Sequence, residues 1–247
     1  LGLGGTGGYV VPHLYRLAYS VAPRARMDNE TEEEYDNYRK KERYIDIVLA
    51  DGDTVEKKNL LRQNFTERDL DMNKAEVLSK RYGGIYGIET CYIPNYIEEE
   101  DLLYEILCTN KNNLFLPILI GCVDNNRTRV LMHNVFNKLD EIIYIDSGNS
   151  EFYGQVVIGY RYKGKTVLKP AAFYYPDILE VNSIEDEFKS HQSCGNTIVS
   201  SPQNIMANIM AATIIIGHIN NIVTSSLLET QQTLFSAKTM NCRSKYI

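Results

Sequence analysis

The sequence predicts an α/β fold: a doubly wound, mostly parallel sheet with an antiparallel C-terminal extension. Three observations lead there. Before residue 150, short apolar runs rich in β-branched residues alternate about four times with amphipathic stretches, the pattern of strand–helix–strand units. A glycine-rich loop, GLGGTGG at residues 2–8, runs straight into a helical pattern. After residue 150 the period falls to two around Lys163–Gly164, which reads as a hairpin.

The elements follow in order. Val10, Val11, Leu14, Leu17, Ala18 and Val21 recur at helical spacing, so a helix follows the loop directly. Only Leu1 to Leu3 remain of the strand that should feed this loop, and we expect more chain before Leu1. Residues 23–44 are dense in charge and poor in aliphatics, the texture of a solvated excursion, part helix and part loop. YIDIVLA (44–50) reads as a buried parallel strand. NKAEVLSKRYGGI (73–85) predicts a helix ended by its glycines, and ETCYIPNYI (89–97) a strand broken by proline. DLLYEILCTN (101–110) is helical, LFLPILIGCVD (114–124) a buried strand, NNRTRVLMHNVFNKL (125–139) helical and EIIYIDSGN (141–149) a strand. Residues 176–200 are polar and read as a long loop, with Ser201 and Pro202 as cap and first-turn residue of the next helix. TLFSAKTMNCRSKYI (233–247) closes the chain in short strands.

Composition narrows the classes. Across 247 residues, 44% hydrophobic and 23% charged content is ordinary for a soluble globular protein. A net charge of −6 speaks against a nucleic-acid surface. The longest apolar stretch, IMAATIIIGHI (209–219), is too short for a membrane span and contains His218. No secretory leader is visible, and the five cysteines, at 91, 108, 122, 194 and 242, form no CxxC pair. Reduced thiols in a cytoplasmic protein are therefore expected, without a disulfide framework or a structural zinc.

The chemistry gathers where apolar runs end. Gly2, Gly4, Gly5, Gly7 and Gly8, with Thr6 among them, let backbone N–H groups approach a phosphate at a helix N-terminus. Such loops also serve NAD and FAD, and the loop alone leaves the choice open. Asp51 and Asp53 close the next apolar run, where an acid can take ribose hydroxyls. A dehydrogenase would look the same to this point. Asn59, Arg62 and Gln63 then add neutral and cationic donors that suit a triphosphate. Considered singly, Arg62 has a lesser alternative as a surface ion pair with Asp69 or Glu67. Lys74 opens a helix, where its charge would offset that building on a pentavalent phosphorus; alone it would read as solvated surface. Asp124 ends a later strand, and a carboxylate facing a triphosphate makes sense with Mg²⁺ between them. Arg127 and Arg129 follow, one of them expected to face solvent, and Cys122 beside Asp124 reads as packing.

At this point GLGGTG, DGDTVEKKNLLRQ, NKAE and GCVDNNRTR resemble, in order and spacing, the ThiF/MoeB/HesA adenylyltransferases that activate ubiquitin-like proteins. The match covers residues 1–150. More closely, YIDSGNSEFYGQVVIGY and the pattern from Ser193 to Ala207 are similar to the ThiF-related members of PRTRC plasmid cassettes. The resemblance implies one Rossmann-like domain over 1–247, with a nucleotide-binding half (1–150) and a second half (151–247) of antiparallel strands, crossover loop and C-terminal helix.

It also implies ATP with Mg²⁺ over the glycine loop. Asp51 would take the ribose, Asn59, Arg62, Gln63 and Lys74 the phosphates, and Asp124 the metal. The C-terminal carboxylate of a ubiquitin-like protein or a peptide would attack the α-phosphorus, leaving an acyl-adenylate and pyrophosphate. Relatives can carry an acyl-accepting thiol in the region of Cys194, with His191 nearby, and many hold a zinc on two CxxC pairs that this chain lacks. A homodimer is expected on the same ground. The competing readings are a non-catalytic nucleotide-binding scaffold paired with an active homologue, and an NAD- or FAD-dependent oxidoreductase.

Overall fold

In the computed structural model, residues 1–108, 115–180 and 204–247 are described. The glycine loop leaves the middle of the sheet. Leu1 to Leu3 lie between two strands, β1 (Val48–Ala50) and β3 (Ile118–Gly121). On one side Gly2 N donates to Ala50 O (3.1 Å); on the other, Leu1 N donates to Ile120 O (2.8 Å) and Cys122 N to Leu1 O (2.9 Å). These three residues thus join β1, and β2 (Cys91–Ile93) paired parallel to it, to the rest of the sheet.

β4 (Ile142–Asn149) runs parallel to β3, with Ile118 opposite Ile143 and Gly121 opposite Asp146. There the sheet changes character. β5 (Tyr153–Tyr162) is antiparallel to β4, and β7 (Thr230–Ser236) and β8 (Asn241–Tyr246) extend it antiparallel to the edge. β6 (Lys165–Leu168) folds back on β5 through Lys163 (φ 49°) and Gly164 (φ 73°). Two consecutive positive φ angles make the turn whose twist suits a two-residue hairpin, as the Lys–Gly pair predicts.

Helices cover both faces. α1 (Gly5–Val21) packs on α3 (Lys74–Tyr86), and Val11, Tyr15, Leu49, Ala75 and Leu78 form a buried cluster over β1. On β4 the side chains divide by the strand period. Ile143 and Ile145 enter a cluster with Val10, Leu17 and Ile215, while Ile142 and Tyr144 join Leu103, Leu131 and Phe136. The second cluster brings in α4 (Glu100–Cys108) and α5 (Asn126–Lys138). This is the doubly wound arrangement expected. α2 (Glu32–Arg39) buries nothing and is closed by a capping box between Thr31 and Glu34, as suits a solvated excursion.

Several boundaries differ from expectation: β1 takes only the last three residues of the run 44–50, whose Tyr44 is exposed, and β2 only Cys91–Ile93 of the run 89–97. α3 runs through Gly83 and Gly84 and stops at Gly87, whose φ of 65° is the left-handed cap. Gly83 instead gives room to the returning chain, since a Cβ there would lie 2.8 Å from Ile88 O. A short helix α6 (Ala171–Tyr174) precedes the last one, α7 (Ile205–Ser225). The Asn204 side chain caps α7 by accepting from Met206 N (2.8 Å); Ser201 and Pro202 lie outside the described residues.

By length and composition α7 is apolar enough to cross a membrane (mean hydropathy 1.4), a property hidden in sequence by its scattered polar residues. Here Ala212, Ile215 and Ile219 are buried in one cluster with α1 and with residues of β4 and β5. Asn204→Ala should cost about 1 kcal/mol, seen as a lower urea midpoint at unchanged slope.

Candidate active site

The carboxyl ends of the parallel strands and the glycine loop enclose one large cavity of about 1110 Å³. The loop owes its shape to contact. Gly2 sits at φ +79°, and a Cβ on Gly7 would lie 1.9 Å from Gly2 O. Gly2, Gly4, Gly5 and Thr6 line the cavity; Gly7 does not, being turned inward against the backbone.

Asp51, buried at the end of β1, holds this loop in place. Its carboxylate accepts from Leu3 N (2.5 Å) and Asp53 N (2.8 Å). Burial pushes its pKa up, against the pull of the Lys74 charge. Lys74 is the first residue of α3, whose cap Asn73 accepts from Glu76 N and donates to the Asp51 and Asp53 carbonyls. The lysine Nζ lies 2.7 Å from Asp53 Oδ2, with only 3% of its side chain exposed. It is a buried, paired cation rather than solvated surface.

Arg62 and Gln63 follow the 3-10 turn Lys57–Leu61 and reach the same cavity, both buried. Neither amide atom of Gln63 has a hydrogen-bond partner among the described residues, and its Nε2 lies 3.5 Å from the place of a Cβ on Gly4. Asp69 is paired with Arg81 (2.5 Å). Asn59 does not line the cavity. It is 2% exposed and its Oδ1 accepts from Glu56 N (2.8 Å), so its amide closes the turn that delivers Arg62.

Asp124 stands exposed on the cavity wall, between β3 and α5. No group of three His, Cys, Asp or Glu suited to a metal occurs among the described residues. A single carboxylate still fits Mg²⁺, which is usually held by one or two carboxylates together with substrate phosphates. The two arginines that follow divide as expected. Arg127 is exposed beside Glu98 (3.5 Å). Arg129 turns inward, donating to Val123 O (2.7 Å) and Ser147 O (3.1 Å), with Nε 3.4 Å from buried Asp146. It ties the ends of β3 and β4 into one floor. Burial pushes the Cys122 thiol up to about 12, which suits packing and not nucleophilic work. Cys194 and His191 lie outside the described residues.

Three contributors escaped the sequence reading. Tyr96, just past β2, places its hydroxyl on Asp53. Asp146 anchors Arg129. Asn208, fully buried in α7, accepts from Asn149 Nδ2 (2.8 Å) and packs against Gly5, where a Cβ would meet it at 2.6 Å. A lone amide in the apolar run of α7 was the available signal for Asn208. Tyr96 shared the strand-end position of the acids.

Solved structures share the fold. The crystal structure of E. coli MccB with succinimide aligns with TM-score 0.61 at 16% identity, over 100% of this chain and 62% of that one. PaaA aligns with TM-score 0.61 at 15% identity, over 100% and 62%. E. coli MccB with AMPCPP and MccA gives 0.58 at 16% identity, over 100% and 62%. The chain therefore spans about three-fifths of the length of these structures. No curated protein matches it. The ThiF family model matches residues 44–246, from the strand that delivers Asp51 to the last edge strand, and the chain belongs to the ThiF family.

Proposed function

We propose that this chain adenylates the C-terminal carboxylate of a peptide or ubiquitin-like protein with ATP. The observation that carries the reading is the meeting of the glycine loop, Arg62, Gln63, Lys74 and Asp124 on one cavity. Its volume of about 1110 Å³ lies just above the usual range of ligand sites, about 300–1,000 Å³, which leaves room for a substrate tail beside the nucleotide. E. coli MccB, of like fold, was crystallised with the nucleotide AMPCPP and MccA together, which supports two substrates in one site.

The amides of the glycine loop and the start of α1 would hold phosphate oxygens, and Asp51, already anchoring the loop, would face the ribose. Arg62 and Lys74 bring fixed positive charge to the phosphates, matched to the charge that develops on the α-phosphorus. Mg²⁺ at Asp124 would supply charge neutralisation for the leaving group. The substrate carboxylate oxygen forms a bond to the α-phosphorus while the bond to the bridging oxygen of the β-phosphate breaks. Pyrophosphate leaves with that electron pair, and an acyl-adenylate stays. No proton moves in this step, so the donors and cations that Gln63, Arg62 and Lys74 bring to the cavity would suffice without a general base. The work is positioning and charge stabilisation.

The test is ATP–pyrophosphate exchange with peptides and ubiquitin-like proteins bearing a free C-terminus. Exchange is expected with Mg²⁺, and neither after chelation nor with the same peptides amidated at the C-terminus. Silence with every carboxylate, beside tight NAD binding, would give the site to a redox enzyme. Two further parts rest on resemblance alone. Acyl transfer to Cys194 would show as a mass adduct of the activated partner on that residue, and a homodimer as twice the chain mass in sedimentation.

A further inference from the structure

Three loops converge on Asp53. Its Oδ2 pairs with Lys74 Nζ at 2.7 Å, and its Oδ1 accepts the Tyr96 hydroxyl. Its carbonyl accepts from Lys74 N (2.9 Å) and from Asn73 Nδ2 (3.1 Å). The turn after β1, the first turn of α3 and the loop after β2 thus share one carboxylate. Gly52 explains the tyrosine's seat: a Cβ there would lie 2.7 Å from Tyr96 Cγ, Cδ2 and N, so the ring rests directly on the glycine between the two acids. Tyr96 also lines the cavity, with its side chain largely open.

An aspartate carboxylate turns easily, because its terminal torsion is broad. Held by Lys74 alone, it would swing and carry the buried ammonium with it. We propose that Tyr96 is a positioning residue for Lys74: its hydroxyl fixes one oxygen of Asp53 so that the other presents the lysine to a triphosphate. This deepens the nucleotide reading above and rests on it. The electrostatics agree. Burial raises the Asp53 carboxyl, but the Lys74 charge and the bonds from Lys74 and Tyr96 outweigh it and hold the group below its ordinary range. Burial and Asp53 push the Tyr96 phenol well up, so it stays a donor.

Tyr96→Phe keeps the ring on Gly52 and removes only the hydroxyl. ATP affinity, measured by calorimetry with Mg²⁺, should fall about 3- to 10-fold, the worth of one hydrogen bond, while adenosine affinity stays unchanged. In a Lys74→Ala background the same change should have no further effect, since its path runs through the lysine. Equal loss for adenosine would make Tyr96 a direct base contact and overturn the proposal, as would an additive effect in that background. A second readout needs no nucleotide: acetylation of Lys74 by acetic anhydride, followed by mass spectrometry, should quicken severalfold in Tyr96→Phe. An unchanged rate overturns the proposal. A quickened rate in a protein that binds no ATP overturns the nucleotide reading while the Tyr96–Asp53–Lys74 linkage stands.

Discussion

Asp124→Ala is expected to slow ATP–pyrophosphate exchange by about 10²- to 10³-fold, while the melting temperature stays within about 2 °C of the parent. The two effects separate because of where the residue sits. Asp124 is exposed on the cavity wall between β3 and α5, and truncating it removes nothing from the hydrophobic clusters. The floor beneath it is kept by Arg129, which bonds Val123 O and Ser147 O whatever stands at 124. Asp124→Asn sharpens the test. It keeps the size and loses the charge, so a comparable fall would trace the effect to the anion and, by extension, to the divalent ion. Unchanged exchange in both variants would remove Asp124 from the chemistry. Nucleotide binding without exchange in the parent would favour the scaffold.

Gly7→Ala should cost at least about 3 kcal/mol and lower the melting temperature by about 6–12 °C. The added methyl would stand 1.9 Å from Gly2 O and 3.4 Å from Cys122 Cβ. Neither neighbour can yield cheaply. Gly2 donates to Ala50 O, and Cys122 donates to Leu1 O, so moving either parts the two halves of the sheet. Gly84→Ala is the control. It lies inside α3, nothing stands within 4 Å of the new Cβ, and the change should be neutral or stabilising by up to about 1 kcal/mol. Equal melting temperatures for the two variants would show that the loop yields more readily than its contacts imply.

Much of this was legible without coordinates, and the reason is locality. A glycine loop entering a helix, an acid closing an apolar run and a Lys–Gly turn between alternating strands are set by backbone sterics and by side-chain period within about ten residues. α1, the ends of β1 and β3, and the β5–β6 hairpin were readable on those terms. So was the set Gly2, Gly4, Gly5, Asp51, Arg62, Gln63, Lys74 and Asp124 that lines the cavity. Gly83 and Gly84 misled because glycine marks both a helix stop and a close approach, and only the turn back at Ile88 distinguishes them.

The sequence by itself determined the doubly wound class, the order of its elements and the kinds of charge delivered to the strand ends. The tertiary structure alone decided which groups share a partner: Leu1 to Leu3 stitching β1 to β3, Asn59 spent on its own turn, Lys74 held by an aspartate that Tyr96 steadies, and Asn208 against Gly5. Apart from the Asn59 turn, these pairings span some 20 to 200 residues of chain. No local propensity encodes such a pairing. It exists only once the sheet has closed and a buried polar group must find a partner or remain costly.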